Sequence, residues 1–213
     1  MQFTVRVSAE DRLAFAAAWL RRIAAPVLLL ASVATSPNSA HAGPLHYALD
    51  IQQSNVSAKA TLLVVSSVTA HFPVVEGATD LEPAALDRTA IAVTLDAQSL
   101  TTEDESICEQ LKGADFFDVA QFPLITFRGA RMTMTGERTA KVFGELTARG
   151  KTRSVTLDAT FDKPPAEANG VDPISISATT KINRDSFGMV TLHGIVGRKV
   201  LIRIEAILRP MLS

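Results

Sequence analysis

Three histidines, His46, His71 and His193, are the side chains of this sequence best suited to metal binding or acid–base catalysis. No two of them have the i, i+4 spacing that places two ligands on one face of a helix. The single cysteine, Cys108, lies among acidic residues, which disfavour the thiolate that a nucleophile needs. The sequence therefore predicts no metal site and no catalytic thiol, and Cys108 is expected to be structural.

A second group with chemical potential is the basic turn formed by Arg149, Lys151 and Arg153 around Gly150. Guanidinium and ammonium groups donate hydrogen bonds to phosphate oxygens, so these side chains are candidates for holding a phosphorylated headgroup at the mouth of a barrel. The alternative is a solvated turn between two strands, and the surrounding sequence favours that interpretation. Both interpretations place the three residues at the end of a hairpin.

Segments in which apolar and polar residues alternate make up most of the chain after residue 44. Alternation with a period of two predicts strands with one buried face, and roughly eight such strands favour a closed antiparallel barrel or a sandwich. A barrel of about eight strands is either filled by side chains or holds one small ligand. Leu62–Ser67 is interpreted as a single helical turn. Residues expected to face one interior are Ile91, Val93, Leu95, Val155, Leu157, Ile174 and Ile176.

One longer helix is predicted in the middle of the chain. Hydroxyl residues from Ser99 onward precede an acidic first turn, which is typical of a capped helix start, and the helix is expected to run to about Asp115. The next stretch, Asp115–Phe127, contains four phenylalanines and should lead into a strand after Pro123. Within it, the pair Phe116-Phe117 is expected to turn inward while the flanking aspartates face water.

Residues 1–42 have the features of a secretory signal peptide. Two arginines precede an apolar run of about twelve residues, shorter than the roughly 20 that span a bilayer, and Ala40-His41-Ala42 follows. The sequence thus predicts cleavage after residue 42, a periplasmic location and one domain over residues 43–213; an uncleaved membrane anchor is the alternative. Four arginines, one glutamate and one aspartate lie in residues 1–42, so the remaining domain has a formal charge of −3. A weakly acidic domain without basic runs is a poor nucleic-acid binder.

Several motifs follow one another in a characteristic order along the predicted domain. Together they resemble the YceI-like family of secreted polyisoprenoid-binding proteins, and the resemblance extends from about Leu45 to Leu208. The motifs are Tyr47-x-Leu49-Asp50, Asp115-Phe116-Phe117-Asp118, Phe122-Pro123-x-Ile125-x-Phe127, Gly144-x-Leu146-Thr147-x-x-Gly150-x-Thr152 and Ile182-Asn183-Arg184-x-x-Phe187-Gly188.

The resemblance implies an all-β, lipocalin-like antiparallel barrel of about eight strands with one or two short helices, enclosing an apolar tunnel. The resemblance also implies that the tunnel holds an isoprenoid chain, such as a quinone tail or a polyprenyl phosphate. We therefore expect a non-catalytic carrier of a polyprenyl or quinone-like lipid, with no resident cofactor. Peripheral contact with a membrane and a homodimer are both compatible with such a carrier. The candidate tunnel residues are Phe72, Ile91, Val93, Phe116, Phe127, Leu146, Leu157, Phe161, Ile176 and Phe187.

Two other functions remain open from the residues alone. A hydrolase or isomerase acting on an apolar substrate inside the barrel would need an inward carboxylate or histidine. The strand alternation places Asp158 and His71 on the outer face, which argues against an enzyme. A protein-interaction module of the envelope stress response is the other alternative, and an exposed apolar patch at one end of the barrel would favour it.

Overall fold

The computed structural model describes residues 43–63 and 66–211, so the predicted signal peptide lies outside the described residues. Most of the described chain is antiparallel strand, with one α-helix and three short 3₁₀ helices. The helix is α1 (Glu105–Lys112), and the 3₁₀ helices are Leu86–Arg88, Pro165–Glu167 and Arg184–Phe187. The strands are β1 (Leu45–Leu49), β2 (Asn55–Leu62), β3 (Ser66–Phe72), β4 (Val74–Leu81), β5 (Ala90–Asp96), β6 (Leu124–Met134), β7 (Thr139–Ala148), β8 (Lys151–Phe161), β9 (Ile174–Asn183) and β10 (Val196–Pro210).

The sheet closes because β1 pairs with both β4 and β10. Strands β4 to β10 pair in sequence order, so β1 and β4–β10 form a closed ring of eight, and β2 and β3 extend the sheet from β10. This arrangement confirms the predicted eight-stranded antiparallel barrel and excludes the sandwich. Leu62 of β2 pairs with Ser66 of β3, and Thr61 pairs with Ser67, so the described ends of the segment predicted as a helical turn belong to two paired strands, and that prediction was wrong for them. Residues 64–65 of the predicted turn lie outside the described residues.

The inner face of the barrel follows the period of two in each strand. The side chains predicted to share one interior do so: on β5, β8 and β9 they alternate with residues outside the wall and line one central cavity. Buried side chains also gather in two clusters, one around Phe72, Leu100 and Phe187, the other around Tyr47, Met132 and Phe161.

Two aspartates form hydrogen bonds where the chain leaves a strand of the barrel, one after β1 and one at the end of β5. Asp50 follows β1: its carboxylate accepts from Arg209 Nε at 2.6 Å and from the backbone N–H groups of Gln52 and Gln53 at 3.1 Å. Asp96 ends β5 and accepts from the hydroxyl and the backbone N–H of Ser99. The Arg209 hydrogen bond lowers the pKa of Asp50, and the Ser99 hydroxyl lowers the pKa of Asp96, each against an opposing effect of partial burial.

Helix α1 begins with an acidic cap rather than with a serine. The Asp104 carboxylate accepts from the backbone N–H groups of Ser106 at 2.8 Å and Ile107 at 3.2 Å, satisfying two donors of the first turn. The predicted hydroxyl cap is therefore wrong, because Ser99 belongs to the turn held by Asp96. The helix ends at Lys112, earlier than predicted. No helix in residues 43–63 and 66–211 is both long enough and apolar enough to cross a membrane.

The turn after α1 places the two neighbouring phenylalanines inside the protein, as predicted. Phe116 is buried, and the ring of Phe117 meets that of Phe72 edge-on at 5.3 Å between centroids. The flanking aspartates differ: Asp115 is exposed, but Asp118 is buried and accepts from Gln121 Nε2 at 2.9 Å. The expectation that both carboxylates face water is thus wrong for Asp118, whose left-handed backbone (φ 50°) turns the side chain back towards its own loop.

Two glycines leave space for the ring of Phe127. Gly129 of β6 pairs with Gly144 of β7, and a Cβ on Gly144 would lie 2.7 Å from Phe127 Cζ and 2.4 Å from the Arg128 carbonyl oxygen. The Phe127 ring therefore packs against the backbone of Gly129 and Gly144, which have no side chains, and it forms part of the inner wall of the barrel.

The hydrogen bonds of Asp50 and Asp96 predict how stability depends on pH. Their folded pKa values lie below the unfolded ones, so each contributes stability above about pH 4 that is lost as the pH falls towards the folded value. In urea unfolding, the wild type should lose stability between about pH 5 and pH 3, and the Asp50→Asn/Asp96→Asn variant should lose less over that range. Equal losses in the two proteins would contradict the assignment.

Candidate functional site

An apolar cavity of about 190 Å³ lies inside the barrel. One water molecule needs roughly 10–15 Å³ of such space, so the cavity is more than ten times larger than a single hydration site. Each of the ten strands contributes at least one side chain to the wall, from Leu49 of β1 to Ile202 of β10. The inward side chains therefore surround the axis of the barrel without filling it.

The wall of this cavity has almost no polar groups. Its polar members are Ser54, Thr79, Thr89, Thr180 and Arg184, and no carboxylate, histidine or lysine belongs to the described wall. Proton transfer normally needs one of those absent groups within hydrogen-bond reach of the substrate. The described wall is therefore almost wholly apolar.

The histidines and Asp158 lie on the outside. His46 is 2.7 Å from Asp80, His193 is 3.1 Å from Asp185, and His71 is exposed beside Asn55. Asp158 pairs with Lys141 at 2.6 Å on the outer face of the sheet. Within the part of the chain that the structure describes, no three His, Cys, Asp or Glu side chains are grouped to hold a metal ion. The buried Cys108 donates to the Leu100 carbonyl at 3.2 Å.

Nine of the ten candidate tunnel residues belong to the wall of the central cavity. Phe116 is the exception, because it faces a second cavity. Eight of the nine wall residues lie on strands, whose alternation turns them inward, and Phe187 lies in the 3₁₀ helix Arg184–Phe187. The contact of all nine with a ligand stays a prediction. The nine are Phe72, Ile91, Val93, Phe127, Leu146, Leu157, Phe161, Ile176 and Phe187.

The second cavity, of about 220 Å³, lies between helix α1, the β2–β3 hairpin and the segment 189–196. It adjoins the central cavity, and five residues belong to both walls: Ala58, Phe117, Arg184, Met189 and Val200. The two cavities therefore lie one after the other, with these side chains at the boundary.

The candidate headgroup residues Arg149, Lys151 and Arg153 do not reach either cavity. Arg149 is half-buried and donates to the carbonyl oxygens of Gly188 and Ala114, so it ties together two loops. Lys151 and Arg153 are exposed. The structure thus places these cations at the β7–β8 turn, apart from the apolar wall.

Arg184 belongs to one of the family motifs, but no role at the site was predicted for it. It is only 3% exposed, and its guanidinium donates to three backbone carbonyls: Nε to Gly197 at 3.2 Å, Nη2 to Val196 at 3.1 Å, and Nη1 to Met189. Burial lowers its pKa, while the nearby Asp185 acts in the opposite direction. The alternation Ile176, Ala178, Thr180, Ile182 already points inward and extends to Arg184, so parity was the available signal.

A domain model described as the YceI-like domain matches residues 47–208. A UPF0312 protein of Pseudomonas putida strain GB-1 is 31% identical over 138 residues, which cover 65% of this chain and 72% of that relative.

Two solved structures share the fold. BcnA of Burkholderia cenocepacia has 23% identity and a TM-score of 0.65, over 75% of this chain and 98% of BcnA. A polyisoprenoid-binding domain of Saccharophagus degradans has 12% identity and a TM-score of 0.60, over 78% of this chain and 99% of that domain. Because the family model matches most of the chain and the eight-stranded barrel agrees, this protein is a member of the YceI-like family.

Proposed function

We propose that this protein binds and carries an isoprenoid lipid, with its polyprenyl or quinone-like chain in the central cavity and without chemistry of its own. The observation that carries this proposal is the apolar wall built from all ten strands around space that no side chain fills. Each CH₂-sized group moved from water into such space contributes about 0.8 kcal/mol. A chain of several isoprene units can therefore bind tightly through its tail alone.

The relatives support the choice of ligand, and the wall supports the absence of catalysis. The Saccharophagus degradans domain with the same fold is a polyisoprenoid-binding domain, and we extend that ligand class to this chain. A hydrolase or isomerase in the same cavity would need a proton-transferring group, and the described wall contributes none with a suitable ordinary pKa.

We further propose that the protein is exported to the periplasm by cleavage of residues 1–42 and loads at a membrane surface. Ile195 is 43% exposed and lines the second cavity. Leu63, which is 57% exposed, and Val190, which is 51% exposed, directly follow the wall residues Leu62 and Met189. The Leu63 N–H donates to the Ile195 carbonyl at 2.8 Å, which joins the β2–β3 hairpin to the segment 189–196. Such a patch suits peripheral contact with lipid. A homodimer could cover the same patch, and sedimentation of the purified protein distinguishes the two.

Lipid recovery tests the carrier role. Protein released from the periplasm by osmotic shock, without detergent, should have an intact mass that begins at Gly43 and should yield a prenyl lipid on organic extraction and mass spectrometry. Repeated recovery of protein without any prenyl lipid would contradict the carrier role, and recovery only with the membrane fraction would contradict the proposed location.

Filling the cavity should abolish loading without unfolding the protein. Ala178 of β9 is buried in the wall, whereas its neighbour Ser177 is exposed on the outer face. An added ring in a packed core costs about 1–3 kcal/mol, but the ring of Ala178→Phe can enter vacant space and should cost less. Prenyl lipid recovered per protein should fall sharply in Ala178→Phe and stay unchanged in the matched variant Ser177→Phe. Full loading of Ala178→Phe would contradict a ligand at this position.

The apolar patch can be tested with vesicles. Ile195→Glu places a charge in the patch, whereas Ile51→Glu places the same charge at another exposed isoleucine, in the β1–β2 connection. Flotation with liposomes of bacterial phospholipid should be weakened by Ile195→Glu and not by Ile51→Glu. Equal flotation of both variants and the wild type would count against this surface.

A further inference from the structure

The guanidinium of Arg184 lies at the boundary between the two cavities and is almost completely shielded from water. A guanidinium has five N–H donors, and the hydrogen bonds recorded for Arg184 within the described residues use one from each nitrogen. Two donors therefore remain for another acceptor. Phe116 covers one side of the group, with its ring centroid 5.9 Å from Cζ.

The positive charge of Arg184 is not paired with a carboxylate in the described part of the chain. The adjacent Asp185 directs its oxygens elsewhere, one to His193 at 3.1 Å and the other to Arg198 at 3.3 Å. Carbonyl oxygens solvate a guanidinium but do not neutralise it, and a buried charge without a counter-ion is costly. The lowered pKa of Arg184 has the same origin, since burial disfavours the charged form.

We propose that Arg184 binds an oxyanion headgroup of the phosphate class, with the attached apolar chain extending into the central cavity. This inference rests on the proposed lipid-binding function and adds a headgroup class to it. The planar donor fork of arginine matches two oxygens of a phosphate, and the bound anion supplies a directly hydrogen-bonded counter-charge, which Asp185 does not because its oxygens contact His193 and Arg198. A neutral quinone or alcohol would leave Arg184 without a directly bonded anion.

The other polar positions fit a phosphate less well. Thr89 Oγ1 is the one buried side-chain polar atom without a hydrogen-bond partner among residues 43–63 and 66–211, and it lines the central cavity. A single hydroxyl carries no charge, so it can hold a neutral oxygen but cannot neutralise a phosphate. Arg149, Lys151 and Arg153 lie outside both cavities.

Farnesyl phosphate and farnesol test the headgroup, because they share one chain and differ only at its end. By calorimetric titration, the wild type should bind farnesyl phosphate at least about tenfold more tightly than farnesol, the amount expected for hydrogen bonds to a charged group. The preference should survive about 0.5 M NaCl, because salt screens exposed charges far more than buried ones.

A matched pair of variants tests whether Arg184 causes the preference for farnesyl phosphate over farnesol. Arg184→Met should bring the two affinities within about twofold of each other while farnesol still binds. Arg153→Met removes the same charge from the exposed turn and should keep the wild-type preference. Arg184→Lys should show an intermediate preference, because the charge remains and the donor fork is lost. Thermal unfolding of each variant checks that the fold is retained.

The outcomes separate this inference from the proposed function. If farnesol and farnesyl phosphate bind the wild type equally, or if about 0.5 M NaCl removes the preference, the Arg184 site is refuted while lipid binding stands. The Arg184 site is also refuted if Arg184→Met keeps the preference for farnesyl phosphate. The same holds if Thr89→Val, and not Arg184→Met, removes that preference. If neither ligand binds, the proposed lipid-binding function itself fails. Should Arg184→Met not fold, the salt response of the wild type decides alone.

Discussion

Closure of the sheet by β1 is the constraint on which the rest of this structure depends. Because β1 pairs with β4 on one side and β10 on the other, the eight strands of the ring satisfy one another's backbone hydrogen bonds, and their inward side chains converge on one axis. The wall consists mainly of aliphatic and phenylalanine side chains that stop short of that axis. Strand pairing, rather than contact between side chains across the centre, therefore maintains the cavity.

Arg184 is the one charged side chain in the described wall of the central cavity, and its position gives the cavity a direction. Arg184, held by three backbone carbonyls, lies where the central cavity meets the second one, while Tyr47 and Phe161 belong to a separate cluster of buried side chains. An amphiphile would gain from burying its chain along the wall and from placing its charged end beside Arg184. Exposed Ile195 lines the second cavity, which Arg184 also lines.

Strand alternation made the barrel and most of its inward-facing side chains predictable from the sequence. Ile91, Val93 and Leu157 were assigned to one interior from their spacing alone, because a strand alternates its faces whatever its neighbours are. Local features with competing solutions were not predictable in this way. A helical turn was predicted from Leu62 onward, but Leu62 pairs with Ser66 across two strands. Asp118 is buried, and its left-handed backbone is not revealed by composition. Arg184 shares the inward parity, yet a charged residue is normally assigned to the surface.

The most direct test is whether the central cavity accepts a hydrocarbon tail. A crystal can be soaked with a long-chain alcohol that carries a terminal bromine, and the bromine located by its anomalous scattering. The expected result is a bromine peak inside the barrel, among Phe127, Ile176 and Ile204, with the strands unmoved. Bromine found only on the outer surface, with opposing side chains in contact across the axis, would contradict a vacant apolar cavity.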